Sequence, residues 1–145
     1  MGQDAYTLHK PVKNRFRRRR SYAKGINDLF QADLVDMSAM ARQSDGNRYL
    51  LTCIDVFSTR AWAVPLKNKS GETVKAAFED ICKHEIPNML HTDKGTEFLN
   101  STVQALSAQH DIKHYTSENE DIKAAVVKRF NRTLKNKMWR YFTYA

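Results

Sequence analysis

The stretch RYLLTCIDVF, residues 48–57, constrains the fold more than any other part of the chain. It is almost continuously apolar, so a strand built from it needs both faces covered and belongs at the centre of a sheet. Leu29–Met37 (LFQADLVDM) reads as a strand before it, and Ser44-Asp45-Gly46-Asn47 supplies turn chemistry between the two. Ala61–Leu66 (AWAVPL) reads as a third strand. Its Pro65 points to an edge or a strand end, because proline cannot donate to a ladder.

Beyond residue 66 the hydrophobic period changes. Ser70 is placed to cap a helix in which Val74, Ala77, Phe78 and Ile81 fall at helical spacing. Pro87–Thr92 reads as a short buried strand ending on Asp93. Thr96–His110 then reads as a second helix with Phe98, Val103, Leu106 and Ala108, and Ile112–Thr116 as a fifth strand. After a polar, acidic loop at Ser117–Asp121, a last helix is expected from about Ile122 to Tyr141. Val127, Phe130, Leu134, Met138 and Tyr141 form its apolar stripe. The order βββαβαβα describes a meander followed by βαβ crossovers. It gives an α/β domain whose mixed five-stranded sheet has helices on both faces.

The net charge of +8 is unevenly spread. Residues 1–27 carry eight Lys/Arg against Asp4, residues 123–145 carry seven and no acid, and the stretch between is net negative by six. An acidic centre between basic flanks suits a carboxylate site held against a polyanion. Residues 10–24, KPVKNRFRRRRSYAK, lack periodicity and read as an extended arm, with Arg15, Arg17, Arg18, Arg19 and Arg20 free to track phosphates or to act as a nuclear-import signal. The expected division is an arm over 1–27 and one core domain over 28–145. No apolar run is long enough for a membrane helix, no secretory signal is evident, and Cys53 and Cys82 are unconnected by any CxxC spacing. These features point to an intracellular protein with reduced thiols.

Two acids stand out. Asp33 lies inside a strand, where a charge needs compensation, and Asp93 ends the fourth strand beside a glycine in HTDKGTEF. With the first and fourth strands adjacent, the two can converge. Paired carboxylates repel unless they share a proton or a cation. Mg²⁺ accepts oxygen ligands and leaves room for phosphates, and pairs of such ions cut and join phosphodiesters. The plainer account makes Asp33 an edge residue and Asp93 a cap for the helix from Thr96.

The segments QADLVDM, HTDKGTEF and VVKRFNRTLK resemble the catalytic core of retroviral and retrotransposon integrases, on the ribonuclease H-like fold. YTLHKPV, YLLTCIDVFS, PLKNKSG, SENEDIKAAVV and MWRYFT look most like integrases of large eukaryotic DNA transposons of the Maverick/Polinton kind. That resemblance implies DNA integration in the nucleus by a DDE site that binds Mg²⁺ or Mn²⁺, with DNA as partner and a homodimer in the full-length protein. It places Asp33 and Asp93 as the first two acids and metal ligands. The third should be a Glu in the frame V-V-E-x-x-N, where this chain reads Val126-Val127-Lys128-Arg129-Phe130-Asn131. Residues 94–127, thirty-four positions, separate Asp93 from Lys128, one fewer than the commonest family spacing.

Lysine at that position should cripple two-metal chemistry and leave metal binding compromised. Arg129, Asn131, Arg132 and Lys135 on the same helix remain suited to DNA contact, as the resemblance implies. Neither Asp121, about 10.5 Å further along the helix axis, nor Glu97 is well placed to substitute for the missing acid. His110 and His114 straddle a helix end and a strand, so no zinc site is expected. The C-terminus stops where the family continues with helices that complete the fold and aid dimerisation, so truncation should weaken any dimer. The expected function is a weak or inactive strand transferase. The alternative is a catalytically dead DNA-binding or protein-interaction module, and a ribonuclease H-type hydrolase is a third reading without support from the integrase-like wording.

Overall fold

The computed structural model describes residues 23–116 and 125–144, with side chains to Arg140. Its strands are β1 (Leu29–Asp36), β2 (Tyr49–Asp55), β3 (Ala61–Leu66), β4 (Met89–Thr92) and β5 (Lys113–Thr116). Its helices are α1 (Gly71–Cys82), α2 (Ser101–Gln109) and α3 (Ala125–Tyr144). A single 3₁₀ turn at Ser38–Met40 follows β1, and a turn with Gly46 at φ +81° leads into β2. The sheet order is β3-β2-β1-β4-β5, with the first three strands antiparallel and β1-β4-β5 parallel. The expected mixed sheet is therefore the one formed.

Every residue of β2 after Tyr49 is buried, as its apolar run requires. Side chains alternate across a strand, so β1 and β2 feed two different layers. Phe30, Ala32, Leu51 and Cys53 pack under α1 and α2 against Val74, Phe78, Ile81, Val103 and Leu106. On the opposite face, Ile54 meets Val127, while Val35, Met37, Met40 and Leu50 meet Leu134 and Met138. That second face carries α3. Cys53 and Cys82 are buried free thiols, and burial pushes the Cys82 thiol up to about 11, which keeps it protonated and inert.

Ser70 caps α1 by accepting from Thr73 N–H at 3.3 Å. The second helix corrects the sequence reading, because it begins at Ser101, not Thr96. Asn100 is the reason. Its Oδ1 accepts from Val103 N–H at 2.9 Å, while its Nδ2 donates back to the carbonyls of Thr96 and Glu97 and holds residues 96–98 in a turn. Hydrogen-bonded structure also reaches upstream of residue 28, where Lys24 N–H donates to Asp28 and Asp28 N–H to Gly25 O. Among the described residues no helix is long and apolar enough to cross a membrane.

Candidate active site

The parallel pairing of β1 with β4 sets Gln31 beside His91. Two residues further along, Asp33 within β1 and Asp93 just past the end of β4 come to the same end of the sheet. Their mutual repulsion is one of the influences that raise the Asp33 pKa. The largest is burial, and Lys128 and the Leu34 N–H act against it. The Asp33 side chain keeps only 16% of its surface exposed. Asp93 accepts from Gly95 N–H at 2.9 Å, closing a tight turn over which a Cβ on Gly95 would strike the Glu97 carboxylate.

A short polar chain steadies the Asp93 backbone. Thr92 Oγ1 donates to Asp93 O at 3.0 Å and lies 2.7 Å from His114 Nε2, and Gln104 Nε2 lies 3.1 Å from His114 Nδ1. The pattern is satisfied when His114 carries its proton on Nε2. Burial, then the neighbouring His91, lower the His114 pKa and favour that neutral ring. His114 is thereby used within the sheet, while His110 caps the end of α2.

Above Asp33 lies α3. Lys128 Nζ stands 3.5 Å from Asp33 Oδ2, and Asn131 Nδ2 donates to the same oxygen at 2.9 Å. Positions 128, 131, 132 and 135 share one helical stripe. With Asp33 and Val35 they line a cleft of about 340 Å³. Arg129, one residue round from Lys128, is exposed and does not line it. Arg15, Arg17, Arg18, Arg19 and Arg20, and Asp121, lie outside the described residues.

One residue in this site carried no role in the sequence reading. Gln31 is 1% exposed, and its Oε1 accepts from both Val126 N–H and Val127 N–H at 3.1 Å. It acts as a remote cap that fixes the start of α3 over β1. The available signal was its spacing: Gln31 and Asp33 are i and i+2 in a strand, hence on one face.

The family described as Integrase core domain matches residues 23–121, which include both aspartates and all five strands. The chain belongs to this family. Among relatives of this integrase core, a transposon-derived protein of Caenorhabditis elegans is 38% identical over 109 residues, covering 74% of this chain and 38% of its own length. The retrovirus-related Pol polyprotein from transposon 412 of Drosophila melanogaster is 36% identical over 109 residues, covering 72% of the chain but 9% of the polyprotein. The integrase core here thus spans well under half of either relative. In structure it resembles the HTLV-2 integrase catalytic core domain in complex with magnesium, at TM-score 0.67 and 23% identity over 86% of this chain and 77% of that one. It also resembles a chain of a simian T-cell lymphotropic virus intasome, at TM-score 0.71 and 20% identity over 85% and 44%. These likenesses establish the ribonuclease H-like integrase fold. The family match stops before α3, so the placing of Lys128 rests on the geometry above.

A raised carboxylate pKa has a definite consequence for stability. The folded state holds the Asp33 proton more tightly than the unfolded chain, whose carboxyl titrates near 3.8. The contribution of Asp33 to stability is therefore greatest below that pH and is lost as pH rises through the folded pKa. Asp33→Asn keeps an oxygen for Asn131 and removes the charge. It should make the protein more stable at pH 7, by a margin that shrinks on acidification. Denaturant melts of both proteins at neutral and acidic pH measure this. A variant less stable at pH 7 would mean that the Lys128 pairing outweighs the cost of burying the charge.

Proposed function

We propose that this chain is an integrase-type catalytic core, of the kind carried by Maverick/Polinton transposons, that keeps a DNA-binding surface and has lost strand transfer. The observation that carries this reading is the 3.5 Å pair between Lys128 Nζ and Asp33 Oδ2. In a two-metal site, Mg²⁺ or Mn²⁺ would supply the activation of a nucleophile and the stabilisation of a leaving oxygen. The residues present do not fit such a pair of ions. Asp33 and Asp93 offer two carboxylates, and the third position offers a cation. Asn131 Oδ1, buried and without a hydrogen-bond partner among the described residues, adds an oxygen but no charge. Among the described residues no cluster of three or more His, Cys, Asp or Glu is arranged to hold a metal.

What remains is a cationic stripe. Lys128, Arg132 and Lys135 line the cleft with Asn131, and phosphate contacts need charge and donors but no metal. DNA is the proposed partner and a second copy of the chain the further one that this reading implies. The nucleus is the compartment where both would meet. A strand-transfer assay with duplex oligonucleotides, in Mg²⁺ and in Mn²⁺, tests the proposal. Product should not exceed that of the Asp33→Ala/Asp93→Ala double variant, while DNA binding should be equal in Mg²⁺ and in EDTA. Metal-dependent product above the double variant would overturn the loss of catalysis.

A further inference from the structure

Two anchors fix the register of α3 independently of Lys128. At its start, Gln31 Oε1 holds the Val126 and Val127 N–H groups. One turn later, Asn131 Nδ2 is held by Asp33 Oδ2. The Val127 side chain between them is fully buried against Ile54. Whatever side chain occupies position 128 is thus presented to Asp33, and swinging it away by rotating the helix would break both anchors. A carboxylate there would join Asp33 and Asp93 in a cluster of like charges that needs a cation to persist. An ammonium brings its own charge and three donors.

We propose that Lys128 is a built-in counter-ion, standing where a divalent metal would otherwise tie α3 to Asp33, so that this chain keeps its site closed and stable without metal. The Asp33 side chain is only 16% exposed, and the Lys128 ammonium 3.5 Å from its Oδ2 is the positive charge that faces it. The lysine side chain, 40% exposed, lines the same cleft as Asp33. The inference rests on the integrase-core reading for where metal would sit. Its test reads stability, so either can fail without the other.

Thermal melts of the 145-residue chain and of Lys128→Glu and Lys128→Gln, each in EDTA and in millimolar Mg²⁺, decide the matter. A ligand that binds only the folded state raises its Tm, and one that finds no site does not. The native chain should melt at the same temperature in both buffers. Lys128→Glu should melt several degrees lower in EDTA and recover in Mg²⁺. Lys128→Gln, which adds no repulsion and so guards against a glutamate variant too unstable to measure, should gain a Mg²⁺ response that the native chain lacks. A Mg²⁺ stabilisation of the native chain equal to that of Lys128→Gln would overturn the proposal. So would variants whose melts in EDTA match the native chain and ignore Mg²⁺.

Discussion

Removing residues 1–22 should flatten the salt dependence of DNA binding by about four units of log K against log salt. The segment carries seven basic residues and one acid, and five of the seven are the arginines Arg15, Arg17, Arg18, Arg19 and Arg20. Each phosphate neutralised on duplex DNA contributes a slope of about −0.9, through the counter-ions it releases. Between ~50 and ~200 mM salt, five such contacts amount to a several-hundredfold loss of affinity that the shortened chain should not suffer. Cutting at residue 22 spares the Lys24 N–H bond to Asp28. Fluorescence anisotropy of a labelled duplex across a salt series gives both slopes. Equal slopes would mean that the arm does not lie on DNA. Nuclear import of a reporter fused to residues 1–22 would then be the reading to pursue.

The sheet was legible because its signals are strong and local. A strand as apolar as β2 needs cover on both faces and a neighbour on either side, which its second place in the sheet supplies while β1 takes the centre, and the change from period 2 to period 3.6 at Ser70 divides meander from crossovers. The convergence of Asp33 and Asp93 follows from strand order, in which β1 and β4 are neighbours. The start of α2 was not legible. Apolar spacing runs back through Phe98, but Asn100 competes for the backbone with its own amide and wins the cap. A side chain that both caps forward and bonds backward leaves no trace in hydrophobic periodicity.

The site divides along similar lines. Lys128, Asn131, Arg132 and Lys135 share a helical stripe, so their common cleft follows from spacing alone. Arg129 falls outside that stripe, although the family resemblance grouped it with the others. The i, i+2 spacing puts Gln31 on the face of Asp33 but does not say what it bonds. Its partners are backbone groups 95 and 96 residues away, and only the packing of α3 across β1 brings them together.

That distance makes Gln31 the most informative single position in the core, and Gln31→Leu should destabilise the protein by about 2–4 kcal/mol. Leucine fills a comparable space, so the loss is of the amide's polar partners, chiefly the two N–H groups it accepts from and also the 3.5 Å contact of its Nε2 with His91 Nδ1, and not of packing. The first N–H groups of any helix have no partner within it. An exposed cap would be replaced by water for about 1 kcal/mol. Here water is kept from the Val127 N–H, because Gln31 is 1% exposed and Val127 is fully buried, while the Val126 N–H is part-buried. Each buried N–H left unpaired costs about 1–3 kcal/mol, so desolvation and not the mean worth of a hydrogen bond sets the size of the effect. The loss should also be local before it is global. Amide exchange should quicken first at Val126, Val127 and Lys128, then along α3, while β2 keeps its protection until the whole fold opens. Gln31→Glu is the control, since a carboxylate can accept the same two N–H groups and favours a helix N-terminus. It should recover part of the stability, and more at acidic than at neutral pH, because a charged carboxylate at this position would be buried on the same strand face as Asp33. If Gln31→Leu costs less than about 0.5 kcal/mol, the size expected of an ordinary surface substitution, the start of α3 is held by something other than Gln31 and the register of Lys128 loses its first anchor.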